Sequence, residues 1–167
     1  MRNSLRLAAV GVIAAASFAT SAQAATTASA TATAEVLSSL TVASTADLQL
    51  GQIAANTGGT VTVNADSTVA STGALISTGT RSPAAFDVVG SPNAMVIVTL
   101  PAAAVDLTRV SGTETMSLGG FNTDPNGAFQ LDGAGAGSFT VGGTLTVGSG
   151  QVPGTYTGTF SVSVEYQ

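Results

Sequence analysis

The chain has 167 residues, a formal net charge of −5, no histidine and no cysteine, and charged residues make up only 8% of it. Beyond residue 24, Arg81 and Arg109 alone stand against all nine carboxylates. That surface has no footprint for a phosphate backbone and excludes nucleic acid as a partner. Without histidine, cysteine or lysine, the usual bases and nucleophiles of acyl transfer are also missing.

The first segment reads as an export signal. Arg2 and Arg6 give a positive start, Leu7 to Ala16 is a short apolar run, and Ala22-Gln23-Ala24 offers small residues where a signal peptidase cuts. The run falls short of the ~20 apolar residues a membrane span needs. The expectation is a signal peptide over 1–24 and an exported chain over 25–167 without a membrane anchor. It would be one domain held by its core rather than by disulfides.

Residues 28–36 alternate strictly, with Ala28, Ala30, Ala32, Ala34 and Val36 against Ser29, Thr31, Thr33 and Glu35. Period two and the interleaved threonines favour a strand over a helix. It is either the first strand of a sandwich or an extension that adds itself to a neighbouring subunit. Leu40 to Val42 continues or restarts it, and Ala46 to Ile53 alternates again, with Gly51 marking a bulge. Thr60 to Val63 is a short strand, Asp66 to Gly73 a loop or edge strand, and Ala74 to Ser77 a further candidate for pairing. Gly79 to Pro83 reads as a connection. Ala85 to Val89 and Met95 to Leu100 flank Gly90-Ser91-Pro92-Asn93, which predicts a hairpin.

Val105 to Val110 and Thr115 to Phe121 are two more strands, and Asn122 to Gly127 is a turn. A short strand follows at Phe129 to Leu131. Ser138 to Val147 alternates on both sides of Gly142-Gly143, which suits a bend in one strand or a tight hairpin. The last fourteen residues, Gly154 to Gln167, predict one long strand. Tyr156, Gly158, Phe160, Val162, Val164 and Tyr166 lie on its core face, and threonines, serines and Glu165 on the other. No segment keeps a helical period. The fold class is all-β, an antiparallel immunoglobulin-like sandwich of eight to ten short strands.

The aspartates sit singly, so no paired carboxylates for glycoside hydrolysis are legible. The best oxygen cluster for calcium is Asp124 with Asn122 and Asn126, joined by Asp132 at most. Asp-Pro-Asn-Gly is nonetheless a favoured turn on backbone grounds alone, and the spacing departs from an EF-hand loop. We read a turn, with no catalytic residue, no cofactor and no dedicated metal site.

The strings FDVVGSPNAMVIVTLP and VGGTLTVGSGQVPGTYTGTFSVSVEYQ, with TATAEVLSSLTV and ADLQLGQI before them, resemble the secreted bacterial family called domain of unknown function 4402. The terminal strand also resembles that of chaperone–usher pilins and spore-coat-U-like subunits. Those end in an alternating strand with an aromatic next to last and a glycine fourteenth from the end; here these are Tyr166 and Gly154. The second resemblance implies a pilin-like sandwich that lacks one strand, filled first by a periplasmic chaperone and then by a neighbour's N-terminal strand. Strand addition of this kind takes affinity from main-chain hydrogen bonds and selection from side-chain pockets. It departs from many pilins in having no disulfide, and in offering alanines where donor strands are bulkier.

The expected function is a non-enzymatic, exported structural subunit of a surface fibre, pilus (fimbrium) or coat. It would pass through the periplasm to the cell surface and serve cell adhesion, with self-association or chaperone and usher partners. Gly154, Tyr156, Phe160, Val162, Val164 and Tyr166 would form the accepting strand, and Ala28, Ala30, Ala32, Ala34 and Val36 the donor. The alternative is a self-contained, monomeric secreted module whose loops at Gly79–Pro83 and Asn122–Gly127 bind a glycan or a protein.

Overall fold

The computed structural model describes residues 26–55 and 57–167, so the expected signal peptide lies outside the described residues. The chain divides into two units, Met1–Glu35 and Val36–Gln167. In the first, residues 26–35 carry no strand and are exposed. The strand expected over 28–36 therefore does not form within the chain.

The second unit is all-β, with thirteen strands among the described residues, more than the eight to ten expected. They are β1 (Thr41–Ala46), β2 (Gln49–Ala55), β3 (Gly59–Val63), β4 (Val69–Ser71), β5 (Leu75–Ser82), β6 (Ala84–Val89) and β7 (Met95–Thr99). There follow β8 (Val105–Arg109), β9 (Thr115–Asp124), β10 (Ala128–Gln130), β11 (Ala136–Val147), β12 (Tyr156–Thr157) and β13 (Ser163–Tyr166).

The centre of the fold is β11. Its alternation survives the glycine pair, because Phe139, Val141, Leu145 and Val147 share one parity and are all buried. One edge of β11 pairs first with β6 and then with β3, and the other edge pairs with β9. Gly142 sits where β6 gives way to β3. A Cβ there would collide with the Val63 carbonyl and the backbone of Asn64 and Ala65, so the junction requires glycine. Gly142-Gly143 is thus a crossing point inside one strand and not a hairpin.

Opposite Gly143, β9 carries an extra residue, a bulge at Gly120 with φ +58°. A bulge resets the inward parity of a strand. Leu118 faces the core before it and Phe121 after it.

The large sheet runs β1-β6-β11-β9-β8-β12, with β3 and β4 beside the second half of β11. Two small sheets lie against it. The sheet β10-β7-β13 closes one core around Phe86, Val88, Val96, Val98, Leu131, Phe139 and Val141. The pair β2-β5 lies over a second core of Leu107, Leu118, Leu145 and Val147. Faces of alternating apolar residues packed this way make a β-sandwich.

Three expectations change. β6 and β7 are not a hairpin: β6 pairs with β1 and β11, while β7 pairs with β10 and β13. The turn at 90–93 is a corner between sheets. Ala84, Phe86 and Val88 face Val96 and Val98 across one core, an arrangement that two alternating strands satisfy as well as a hairpin does. The connection expected at Gly79–Pro83 is mostly strand, since β5 runs to Ser82 with Gly79 at φ +78°. The terminal strand is split: β12 pairs with β8 in the large sheet, and β13 pairs with β7 in a small one.

Candidate assembly edge

The split strand leaves an uncovered line of backbone. Residues 158–162 belong to no sheet, yet the side-chain pattern does not break there. Phe160 and Val162 are half-buried against the first core, as are Val164 and Tyr166 in β13. Gly158, Thr159, Ser161, Ser163 and Glu165 are exposed. The alternation read from the sequence is present from Thr159 onward, while Gly158, expected on the core face, is exposed. What is absent, among the described residues, is a strand paired with it.

Among the described residues β13 pairs with β7 alone, which leaves its outer edge free of them. Across from it, β1 pairs with β6 alone among the same residues. Val42 stands opposite Val88 and Ser44 opposite Phe86, both buried, so Val42 and Ser44 point to the core side. Both remain exposed all the same, Val42 at 39%. An inward-facing position open to water means that the sandwich is not closed along this flank.

The two free edges meet at the corner between β6 and β7. The Tyr166 hydroxyl accepts from the Ser91 amide at 2.7 Å and donates to the Ser38 carbonyl at 2.9 Å. The Ser38 amide in turn donates to Ser91 Oγ at 2.6 Å. A Cβ at Gly90 would press into the Tyr166 hydroxyl and Leu40, so a larger residue at the corner would push these side chains aside. Away from this clasp, β1 and β13 are not paired, and a seam opens between them. Leu40 and Leu48 pack against the core on one side of it, and Phe160, Val162 and Val164 on the other.

Phe160 holds the seam to the rest of the protein. It packs against both cores, with its ring 5.0 Å from Phe121 and 6.4 Å, edge-on, from Phe86. Gly158 makes this route possible: a Cβ there would come within 2.8 Å of the Asp106 carbonyl and of Leu107.

The other expected strand residues are placed elsewhere. Tyr156 sits in β12 over the second core, and its hydroxyl donates to the Val152 carbonyl at 2.6 Å. Gly154, at φ +153°, lies against Arg109, whose Nε donates to Glu114 Oε2 at 2.6 Å. Tyr156 and Tyr166 therefore do not share a strand. Among the donor candidates, Ala28, Ala30, Ala32 and Ala34 are exposed and unpaired, and Val36 is 94% exposed.

Of the calcium candidates, Asn122 and Asp124 line a depression of about 350 Å³ with Asn64, Ala65 and Asp66, and Asn126 does not. Asn122 Oδ1 accepts from the Ala65 amide at 2.7 Å, and Asp66 Oδ1 accepts from the amide and hydroxyl of Thr68. Their oxygens serve the 64–68 turn. The Thr68 hydroxyl, then its amide, holds the Asp66 carboxyl below its ordinary value. Among the described residues no three of His, Cys, Asp and Glu are grouped to hold a metal. Among them, too, no helix is long and apolar enough to cross a membrane.

The signal that sequence reading missed is the β1 edge. Its residues, TVASTA, are too small and polar to stand out, and only their pairing shows that two of them face inward.

A family model described as a domain of unknown function (DUF4402) matches residues 40–166. No curated protein and no solved structure matches the chain.

Proposed function

We propose, for a chain that belongs to the domain of unknown function family DUF4402, that it is an exported structural subunit assembling by β-strand addition. The sandwich in this reading is immunoglobulin-like and pilin-like, and it lacks one strand. The seam between β1 and β13 receives that strand, and the product is a surface fibre, pilus or coat. The observation that carries the reading is the stretch 158–162: it packs Phe160 and Val162 inward in strand alternation, and among the described residues no strand pairs with it. An extended segment laid there would find free main-chain groups and a half-buried apolar floor, the two things strand addition needs.

The donor in this reading is residues 28–36 of another copy, which carry matching alternation and no strand of their own. The signal peptide at 1–24 directs export, and a periplasmic chaperone covers the seam until assembly. The competing reading, a closed module with binding loops, draws less support. Its first loop lies largely within β5, and its second begins inside β9.

The test is the size of the protein recovered from its native cell surface and run in detergent unheated, then boiled. Interlocked strands release slowly, because many hydrogen bonds and buried side chains must part together. A high-mass ladder that collapses to monomer on boiling supports the subunit; monomer in both lanes overturns it. A variant lacking residues 25–35 that still forms the ladder removes the donor assignment and leaves the seam.

A further inference from the structure

The asparagines among the described residues are Asn64, Asn93, Asn122 and Asn126, and the fold treats them unequally. Asn64 Nδ2 donates to the Thr68 hydroxyl, and its Oδ1 accepts from Asn122. Asn122 Oδ1 holds the Ala65 amide. The residues that follow Asn64, Asn93 and Asn122 are each held by the fold. Ala65 donates to Asn122, Ala94 donates to the Ser91 carbonyl, and Thr123 lies in the ladder opposite Val141.

Asn126 shares exposure and an unbonded side chain with Asn93, and differs from all three in the residue that follows it. It is exposed, and its side chain bonds to no group among the described residues. The next residue is glycine, in the one Asn-Gly pair of the sequence. Gly127 has φ +80°, a Cβ built on it would meet nothing within 4 Å, and its amide donates to no described group. Only its carbonyl is engaged, accepting from the Val98 amide at 3.4 Å.

We infer that Asn126 is a site of spontaneous modification, converting to a mixture of aspartate and isoaspartate in the folded protein. The Gly127 amide nitrogen attacks Asn126 Cγ, the bond from Cγ to the side-chain nitrogen breaks, and ammonia leaves with the transferred proton. A five-membered succinimide remains. Solvent water then opens it at Cγ to give aspartate, or at the backbone carbonyl carbon to give the isoaspartyl linkage. The nucleophile must be unbonded and unhindered, the carbonyl carbon must be reachable, and the local chain must turn freely. Glycine at 127 and exposure at 126 supply all three. The product adds a carboxylate two residues from Asp124. In its iso form it lengthens the backbone ahead of β10, the edge strand paired with β7.

The experiment follows the mass gain of amide-to-acid conversion by peptide mapping, in the folded protein and in the same protein unfolded in urea, at mildly alkaline pH. Asn126 is expected to convert first, with a folded rate within about threefold of the unfolded one, since no described group holds the Gly127 amide. The Asn126→Gln variant, whose cyclisation needs a larger ring, should lose the gain while unfolding at the same urea concentration. A folded rate slower by about tenfold or more would show that the turn is locked and overturn the inference. Faster conversion at Asn64, Asn93 or Asn122 would overturn it equally.

Discussion

The hydroxyl of Tyr166 accepts the amide proton of Ser91, 75 positions earlier in the chain, at 2.7 Å. Ser91 lies in the corner between the two sheets and is only 8% exposed. The same hydroxyl donates to Ser38, so one oxygen ties together the lead-in to β1, the corner and the end of β13. The seam is therefore fixed at this end and open beyond it.

Tyr166→Phe keeps the ring and removes that oxygen, leaving the Ser91 amide without its partner. An unsatisfied buried donor costs about 1–3 kcal/mol. The expected result is a lower urea midpoint with an unchanged slope, read by far-UV circular dichroism. A midpoint equal to that of the native protein would mean that the clasp contributes nothing.

Phe160→Ala removes one of the side chains, with Leu48 and Phe121, that pack against both cores. A fully buried Phe→Ala change costs about 3–5 kcal/mol, and Phe160 is half-buried, so the loss should fall below that range. Calorimetry should show a lower transition temperature, since Phe121 and Phe86 both lose the ring packed against them. A single sharp transition at the native temperature would contradict this.

Glycines separate into two classes by what a methyl group would meet. Gly142→Ala drives a Cβ into the backbone at 63–65 and should cost about 1–3 kcal/mol or more by overpacking. Gly133→Ala meets nothing within 4 Å and should stay within about 0.5 kcal/mol of the native protein. Equal effects in thermal unfolding would show that the crossing at β11 is looser than described.

Acid should weaken the fold, and neutral pH should leave it level. Asp132 is held below its ordinary value of 3.8 by the Ala136 and Ala134 amides, and Glu114 below 4.5 by Arg109. A carboxyl depressed in the folded state contributes stability above its unfolded value and loses it as pH falls through the folded one. Stability should thus decline only below the ordinary carboxylate range, and with no histidine it should be flat from there to neutrality. Asp132→Asn should shallow the decline in a urea series across pH. An unaltered acid profile would remove Asp132 from the account.

Much of the fold was legible because period two is a local property. The strand cores at Thr60–Val63, Ala85–Val89, Met95–Thr99 and Ser138–Val147 follow directly from it. Pairing is not local. Residues 84–88 and 96–98 alternate as a hairpin would, and only the shared core reveals that they face one another instead. The terminal stretch shows the same limit. Its side chains alternate to the end, while its backbone passes from β8 to β7 with five residues unpaired between. The bulge at Gly120 was hidden for another reason: a parity change is visible only once Leu118 and Phe121 are seen to share a core.

The central claim is that residues 158–162 gain a neighbouring strand on assembly, and amide hydrogen exchange measures this directly. In the isolated protein these amides should exchange quickly, while those of β13, bonded to β7, exchange slowly. In assembled material from the cell surface, residues 158–162 should become as protected as β13. If they exchange as fast in the assembly as in the monomer, no strand has been added there, and the seam is not where the subunits join.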